Sequence, residues 1–125
     1  MTTLESVFQS NIGRIPTYMR PPYLEVDHSV LSTMTDLGYH VIGTDLDTKD
    51  YENDDPASIH TSIENFRQGL DAGGSIVLAH DVKGQTVEVL AREMLNMIQE
   101  RGLVGQFFLF PFPVPCVVLA WRTLC

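Results

Sequence analysis

Apolar residues recur at helical spacing in four stretches of the 125-residue chain. In the first, Leu4, Val7, Phe8 and Ile12 lie 3, 1 and 4 residues apart, and Gly13 can end the helix. In the second, Val30, Leu31, Met34 and Leu37 form the inward stripe, with Asp27 as N-cap and Gly38 as stop. Asp55 and Pro56 then read as an N-cap and first-turn pair, after which Ile59, Ile63, Phe66 and Leu70 share one face. The fourth stretch runs from Thr86 to Glu100, with Val87, Leu90, Ala91, Met94 and Ile98 inward and Gly102 after it.

Short extended runs separate these helices. Thr17–Arg20 ends in two prolines, which cannot continue a helix and favour an extended approach. Tyr39–Ile42 and Ser75–Ala79 read as strands, the second nearly all apolar, as a parallel strand buried on both faces requires. The order is helix, strand, helix, strand, helix, strand, helix, which predicts an α/β fold of βα units. Chemistry in such folds gathers where strands run out at their C-terminal ends. Arg20–Tyr23, Asp45–Tyr51 and His80–Asp81 are the three places that qualify.

The tail breaks the pattern. Leu103 to Trp121 holds one polar side chain, Gln106, among nineteen residues, with Pro111, Pro113 and Pro115 alternating inside it. Prolines at that spacing break a membrane-spanning helix. The expected structure is a strand over Gln106–Phe110 followed by poorly packed sequence, whose exposed apolar side chains would promote association.

Composition narrows the function. Apolar residues make up 44% and charged residues 19%, a core-forming balance. Eight Lys and Arg against sixteen Asp and Glu leave a formal charge of −8. Nucleic acid is therefore excluded as a non-specific partner, because phosphate neutralisation needs a basic face. An anionic membrane surface is disfavoured for the same reason. Both cysteines, Cys116 and Cys125, fall in the last ten residues, so no disulfide framework is visible. The start lacks a basic segment followed by an apolar run, so no secretory signal is expected there.

Three segments carry candidate chemistry. In Arg20–Pro21–Pro22–Tyr23 the prolines stiffen the backbone around an arginine that can orient a carboxylate and a peptide N–H that can face an oxyanion. The same residues also suit a tight turn with a surface arginine. Asp45, Asp47, Asp50, Glu52, Asp54 and Asp55 crowd eleven residues, yet an EF-hand is excluded. Lys49 takes its third ligand position, Asp50 stands where the loop needs glycine, and Pro56 replaces the final glutamate. Most of these carboxylates read as a solvated loop. His80 follows the most apolar strand and is expected at its end with restricted solvent, as a general acid or base partnered by Asp50 or Asp81. His28, His40 and His60 read as surface or structural.

Taken in order, Arg20–Pro21–Pro22–Tyr23, Asp47–Thr48–Lys49–Asp50–Tyr51 and Ile76–Val77–Leu78–Ala79–His80–Asp81 resemble the third, fourth and fifth motifs of the polysaccharide deacetylases. These are the NodB-homology enzymes of carbohydrate esterase family 4, fungal chitin deacetylases among them. Gly13, Pro16 and Tyr18 also suit that pattern, and the resemblance covers residues 1–102. It implies that Arg20 orients a catalytic base and that the Tyr23 amide binds the oxyanion. It implies further that Asp50 tunes the acid, that Tyr51 replaces the usual groove tryptophan, that Leu78 lines the acetyl pocket and that His80 protonates the leaving amine. The reaction implied is metal-assisted hydrolysis of N-acetyl groups on chitin, peptidoglycan or a related N-acetylglucosamine polymer, with zinc or cobalt, in a secreted or cell-wall setting.

The departures from the family shape the expectation. Its first motif, Thr-Phe-Asp-Asp, and its zinc-binding pair of histidines four apart do not occur in the chain. Met1 falls within the helix after the second motif, so the expected fold is the C-terminal half of an incomplete, distorted (β/α) barrel. Residues 1–102 form the partial NodB-homology domain, and 103–125 form a tail outside the family pattern, as read-through into non-coding sequence produces. Such a chain is expected to be marginally stable or self-associating, and inactive alone. The alternatives are a non-catalytic glycan-binding remnant using Tyr23, Tyr51 and Leu78, or a non-functional gene-model fragment.

Overall fold

A computed structural model describes residues 2–107 and 119–122. Two compact units divide at Gly43 and Thr44.

The first unit opens with α1 (Thr2–Ile12), which ends on Gly13 in the left-handed region at φ 71°. β1 (Tyr18–Met19) leads into a single 3-10 turn over Pro22–Leu24. α2 (His28–Asp36) is capped by Asp27, whose carboxylate accepts from the Val30 amide at 2.8 Å. β2 (His40–Val41) pairs in parallel with β1, Tyr18 opposite His40. These elements and their stops agree with the periodicity. The inward stripe of α2 differs: only Met34 is buried, while Val30, Leu31 and Leu37 are exposed. Buried Tyr39 donates its hydroxyl to Glu5 at 2.9 Å and so fastens β2 to α1.

The second unit contains a strand that periodicity did not predict. β3 (Leu46–Asp47) pairs in parallel with β4 (Val77–Leu78), Asp47 opposite Leu78. The acidic stretch, from Asp45 on, therefore runs through a strand rather than lying wholly in a loop after β2. One apolar residue, Leu46, is too little signal for a two-residue strand, whose pairing comes from across the sheet. Asp45 fastens that pair by accepting from the Ser75 and Ile76 amides at 2.9 and 2.6 Å. β4 is only half-buried, against the expectation of a strand covered on both faces.

α3 (Ile59–Asp71) starts three residues later than Asp55–Pro56 suggested. The Asp55 carboxylate instead accepts from the Ala57 amide at 2.8 Å and closes a turn ahead of the helix. α3 buries Ile59, Phe66 and Leu70, as its period requires. Leu46, Phe66, Leu70, Met97 and Ile98 form the core, with Ile63, Val77, Met94 and Leu103 packed around it. Apolar side chains removed from water on these three elements hold α3 and α4 (Ala91–Glu100) against β3.

The fourth helix is not regular from Thr86. A π-helical turn spans Thr86–Leu90, with the Ala91 amide bonded to the Thr86 carbonyl five residues back. Thr86 is buried and Val87 is exposed, the reverse of the predicted phase. β5 (Val104–Phe107) lies slightly ahead of the predicted tail strand and pairs antiparallel with β6 (Leu119–Arg122). Pro111, Pro113, Pro115, Cys116 and Cys125 lie outside the described residues. Among the described residues no helix is long and apolar enough to cross a membrane.

Candidate active site

In the first unit, Pro21 is buried and extended at φ −66° and ψ 145°, as a proline before a second proline must be. Arg20 is half-buried and donates from Nη2 to the Gly43 carbonyl at 3.1 Å. Tyr23 and Leu24 both lie in the left-handed region at φ 57° and 58°. Non-glycine residues are held there only where the surroundings over-determine the backbone, commonly at functional sites. The Tyr23 ring is almost fully exposed. The tight turn that this tetrapeptide suits is therefore present.

The second unit holds the other sequence-predicted residues. His80 follows β4 and Asp50 follows β3, so parallel pairing of the two strands brings their C-terminal ends together. Asp50 is fully buried. Its Oδ1 lies 2.8 Å from His80 Nδ1, and its Oδ2 accepts from the His80 amide at 2.6 Å and the Thr86 hydroxyl at 2.7 Å. Burial opposes the charged carboxylate, but the hydrogen bonds from the His80 ring, the His80 amide and Thr86 outweigh it and hold the carboxyl below its ordinary range. Of the two carboxylates that could partner His80, the geometry selects Asp50, while Asp81 is exposed.

Solvent reaches His80 more freely than expected, since 37% of its side chain is exposed. With Nδ1 turned to Asp50, Nε2 is the nitrogen left to meet another molecule. Tyr51 stands edge-on to the imidazole, centroids 5.6 Å apart at 86°. Its hydroxyl donates to Asp47 Oδ2 at 3.0 Å, and that bond, with partial burial and the nearby carboxylates, pushes the phenol up. Asp47 Oδ1 also accepts from the Lys49 amide at 2.9 Å and supports Lys49 at φ 53°. One carboxylate thus shapes the whole turn that carries Asp50 and Tyr51.

Leu78 sits half-buried on β4. Its carbonyl accepts from the hydroxyl of fully buried Thr48 at 2.8 Å, and Asn65 of α3 donates to the Thr48 carbonyl at 3.1 Å. Sequence reasoning missed Thr48, Asn65 and Thr86. Hydroxyl and amide side chains give no periodic signal, although two threonines on otherwise buried positions were readable once the strand ends were known. Among the described residues no group of three or more His, Cys, Asp or Glu side chains is placed to hold a metal ion.

A buried carboxylate clamping a histidine at the end of a parallel strand suits proton transfer at Nε2. Comparison with known proteins supplies the family. No family model matches the chain. A chitin deacetylase from Pestalotiopsis sp is 50% identical over 103 residues, 82% of this chain and 34% of that protein. The chain is homologous to part of the polysaccharide deacetylases. A probable peptidoglycan-N-acetylglucosamine deacetylase from Arthroderma benhamiae is 51% identical over 104 residues, 82% of this chain and 24% of that protein. The solved chitin deacetylase from Colletotrichum lindemuthianum superimposes with a TM-score of 0.75 at 42% identity, covering 82% of this chain and 47% of that one. The chain spans about a third of the Pestalotiopsis relative and about a quarter of the Arthroderma relative.

Proposed function

We propose that this chain carries the acid-side machinery of a polysaccharide deacetylase that removes N-acetyl groups from chitin or a related N-acetylglucosamine polymer. The observation that carries the reading is the His80 imidazole, clamped by buried Asp50 at the end of β4 with Nε2 left available. Protonated His80 delivers its Nε2 proton to the leaving amine, and Asp50 stabilises the imidazolium that makes this possible. Tyr51 offers an aromatic edge to the sugar beside the imidazole, and Leu78 lines the acetyl methyl. On the first unit, Arg20 orients the catalytic base and the rigid Tyr23 amide binds the oxyanion.

The relatives' names, chitin deacetylase and probable peptidoglycan-N-acetylglucosamine deacetylase, support the substrate class, and a wall polymer as substrate supports a secreted or cell-wall setting. The units 1–43 and 44–102 belong, in this reading, to a distorted (β/α) barrel, with 103–125 outside the family pattern. Zinc or cobalt is the metal of that reading, but the described residues supply no ligand set for it. The chain alone is therefore expected to release no acetate from chitin oligomers, with or without either ion.

A chimera tests this. The portion of the Colletotrichum enzyme that precedes the matched region is placed ahead of this chain, and acetate release from chitin oligomers is followed. Turnover that His80→Ala abolishes supports the reading. Turnover indifferent to His80→Ala overturns it, and oligomer binding without acetate release in either protein favours a glycan-binding remnant instead.

A further inference from the structure

Thr86 combines two features that need a common cause. Its hydroxyl is buried where the helical period expects Val87, and it enters through a π-helical turn, a wider turn than the flanking helix. Such turns are rare and recur at functional sites. Within this turn Val87 is exposed and Thr86 is buried. What Thr86 reaches is Asp50 Oδ2, at 2.7 Å.

We infer that Thr86 is a positioning residue that holds Asp50 in the rotamer that keeps His80 protonated at Nδ1 and leaves Nε2 for the substrate. Asp50 has two oxygens and three donors: the His80 ring on Oδ1, and the His80 amide with the Thr86 hydroxyl on Oδ2. A carboxylate bonded by the histidine alone can still turn about its Cβ–Cγ bond and exchange oxygens. The hydroxyl arrives from a different element and removes that freedom, so Oδ1 stays on the imidazole. An acceptor fixed at Nδ1 selects the tautomer, since the neutral ring carries its proton on the nitrogen that donates. The start of the turn is itself anchored: Asp54 Oδ1 accepts from the Gln85 amide at 2.8 Å, and the Lys83 amide bonds to the His80 carbonyl at 3.2 Å. The segment from His80 to Thr86 is thereby closed back onto the loop that carries Asp50.

The inference rests on the deacetylase reading only for what Nε2 is used for; the tautomer itself needs neither substrate nor metal. Long-range proton–nitrogen spectra of the full chain above neutral pH report the His80 tautomer, and carboxyl-carbon spectra report the Asp50 titration. The wild type and Thr86→Ser are expected to show His80 wholly as the Nδ1–H form. Thr86→Val, which keeps shape and loses the donor, is expected to show mixed tautomers and an upward shift of the Asp50 midpoint. If Thr86→Val retains the single Nδ1–H form and an unmoved Asp50 midpoint, the inference is overturned. Should Thr86→Val not fold, the wild type and Thr86→Ser decide. A Thr86 hydroxyl proton protected from exchange and coupled to Asp50 Cγ, with the tautomer kept in Thr86→Ser, upholds it, and an Nε2–H tautomer in either protein overturns it. Loss of His80 dependence in the chimera would sink the deacetylase reading and leave these spectra standing.

Discussion

Asp50 carries its charge where water does not reach, and three hydrogen bonds replace the lost hydration. Removing a buried, hydrogen-bonded charge leaves its donors unpaired, so Asp50→Ala is expected to cost about 3 kcal/mol. The pH dependence follows from the direction of its shift. Its carboxyl lies below the ordinary value of 3.8 in the fold, so the unfolded chain takes up the proton first as pH falls. The stabilisation is complete above the ordinary value and is lost as pH falls through the lower, folded one. Denaturant unfolding from about pH 6 down to about pH 2 should show wild-type stability dropping in the acid limb, with a smaller drop in Asp50→Asn. Parallel loss in the two proteins would show that the clamp contributes nothing to folding.

At the scale of elements, the approach of α3 to β3 depends on one missing side chain. A Cβ on Gly69 would lie 2.3 Å from Leu46 Cγ and 2.8 Å from its Cδ1, and Leu46 is buried in the core. The leucine is walled in by Phe66 and Leu70, so it cannot swing away without opening the layer. Gly69→Ala is expected to destabilise by about 1–3 kcal/mol through overpacking, despite the better helix propensity of alanine. Leu46→Ala opens a cavity by itself, but in the double variant the new methyl occupies part of it. Thermal unfolding of the cycle should therefore give a double variant more stable than the sum of the singles. Strict additivity would mean that helix and strand do not meet here. Because β3 carries the Asp50 loop, the same contact also sets where Asp50 stands.

For the whole molecule, charge and exposed apolar surface oppose one another. Leu4, Val7, Val82, Val87 and Leu95 are large apolar side chains open to solvent, and the net charge is −8. Like charge keeps copies apart at low salt, while apolar contact draws them together. Raising salt from about 0.05 M to about 0.5 M shortens the screening length severalfold and removes the repulsion. Sedimentation should then show self-association that grows with both salt and protein concentration. A monomer at both ionic strengths would show that these side chains form no adhesive surface.

Local rules account for what the amino-acid order determined by itself. α1 ends at Gly13, and α2 begins at Asp27 and ends by Gly38, because caps and stops act within a few residues. The apolar face of α3 followed its period, and three short motifs in order carried the resemblance to the polysaccharide deacetylases. Tertiary structure decided the rest. β3 has one buried apolar residue of its own, and its Leu46 amide donates to the Ile76 carbonyl, 30 residues later. The choice of Asp50 over Asp81 arose from the register of β3 on β4, which aligns Asp47 with Leu78 and so brings the two following turns together. Thr86, not Val87, is buried, and its hydroxyl meets a buried carboxylate from another turn. Hydrophobic periodicity records which face a segment turns inward, but it carries no information about polar partners supplied by a distant strand.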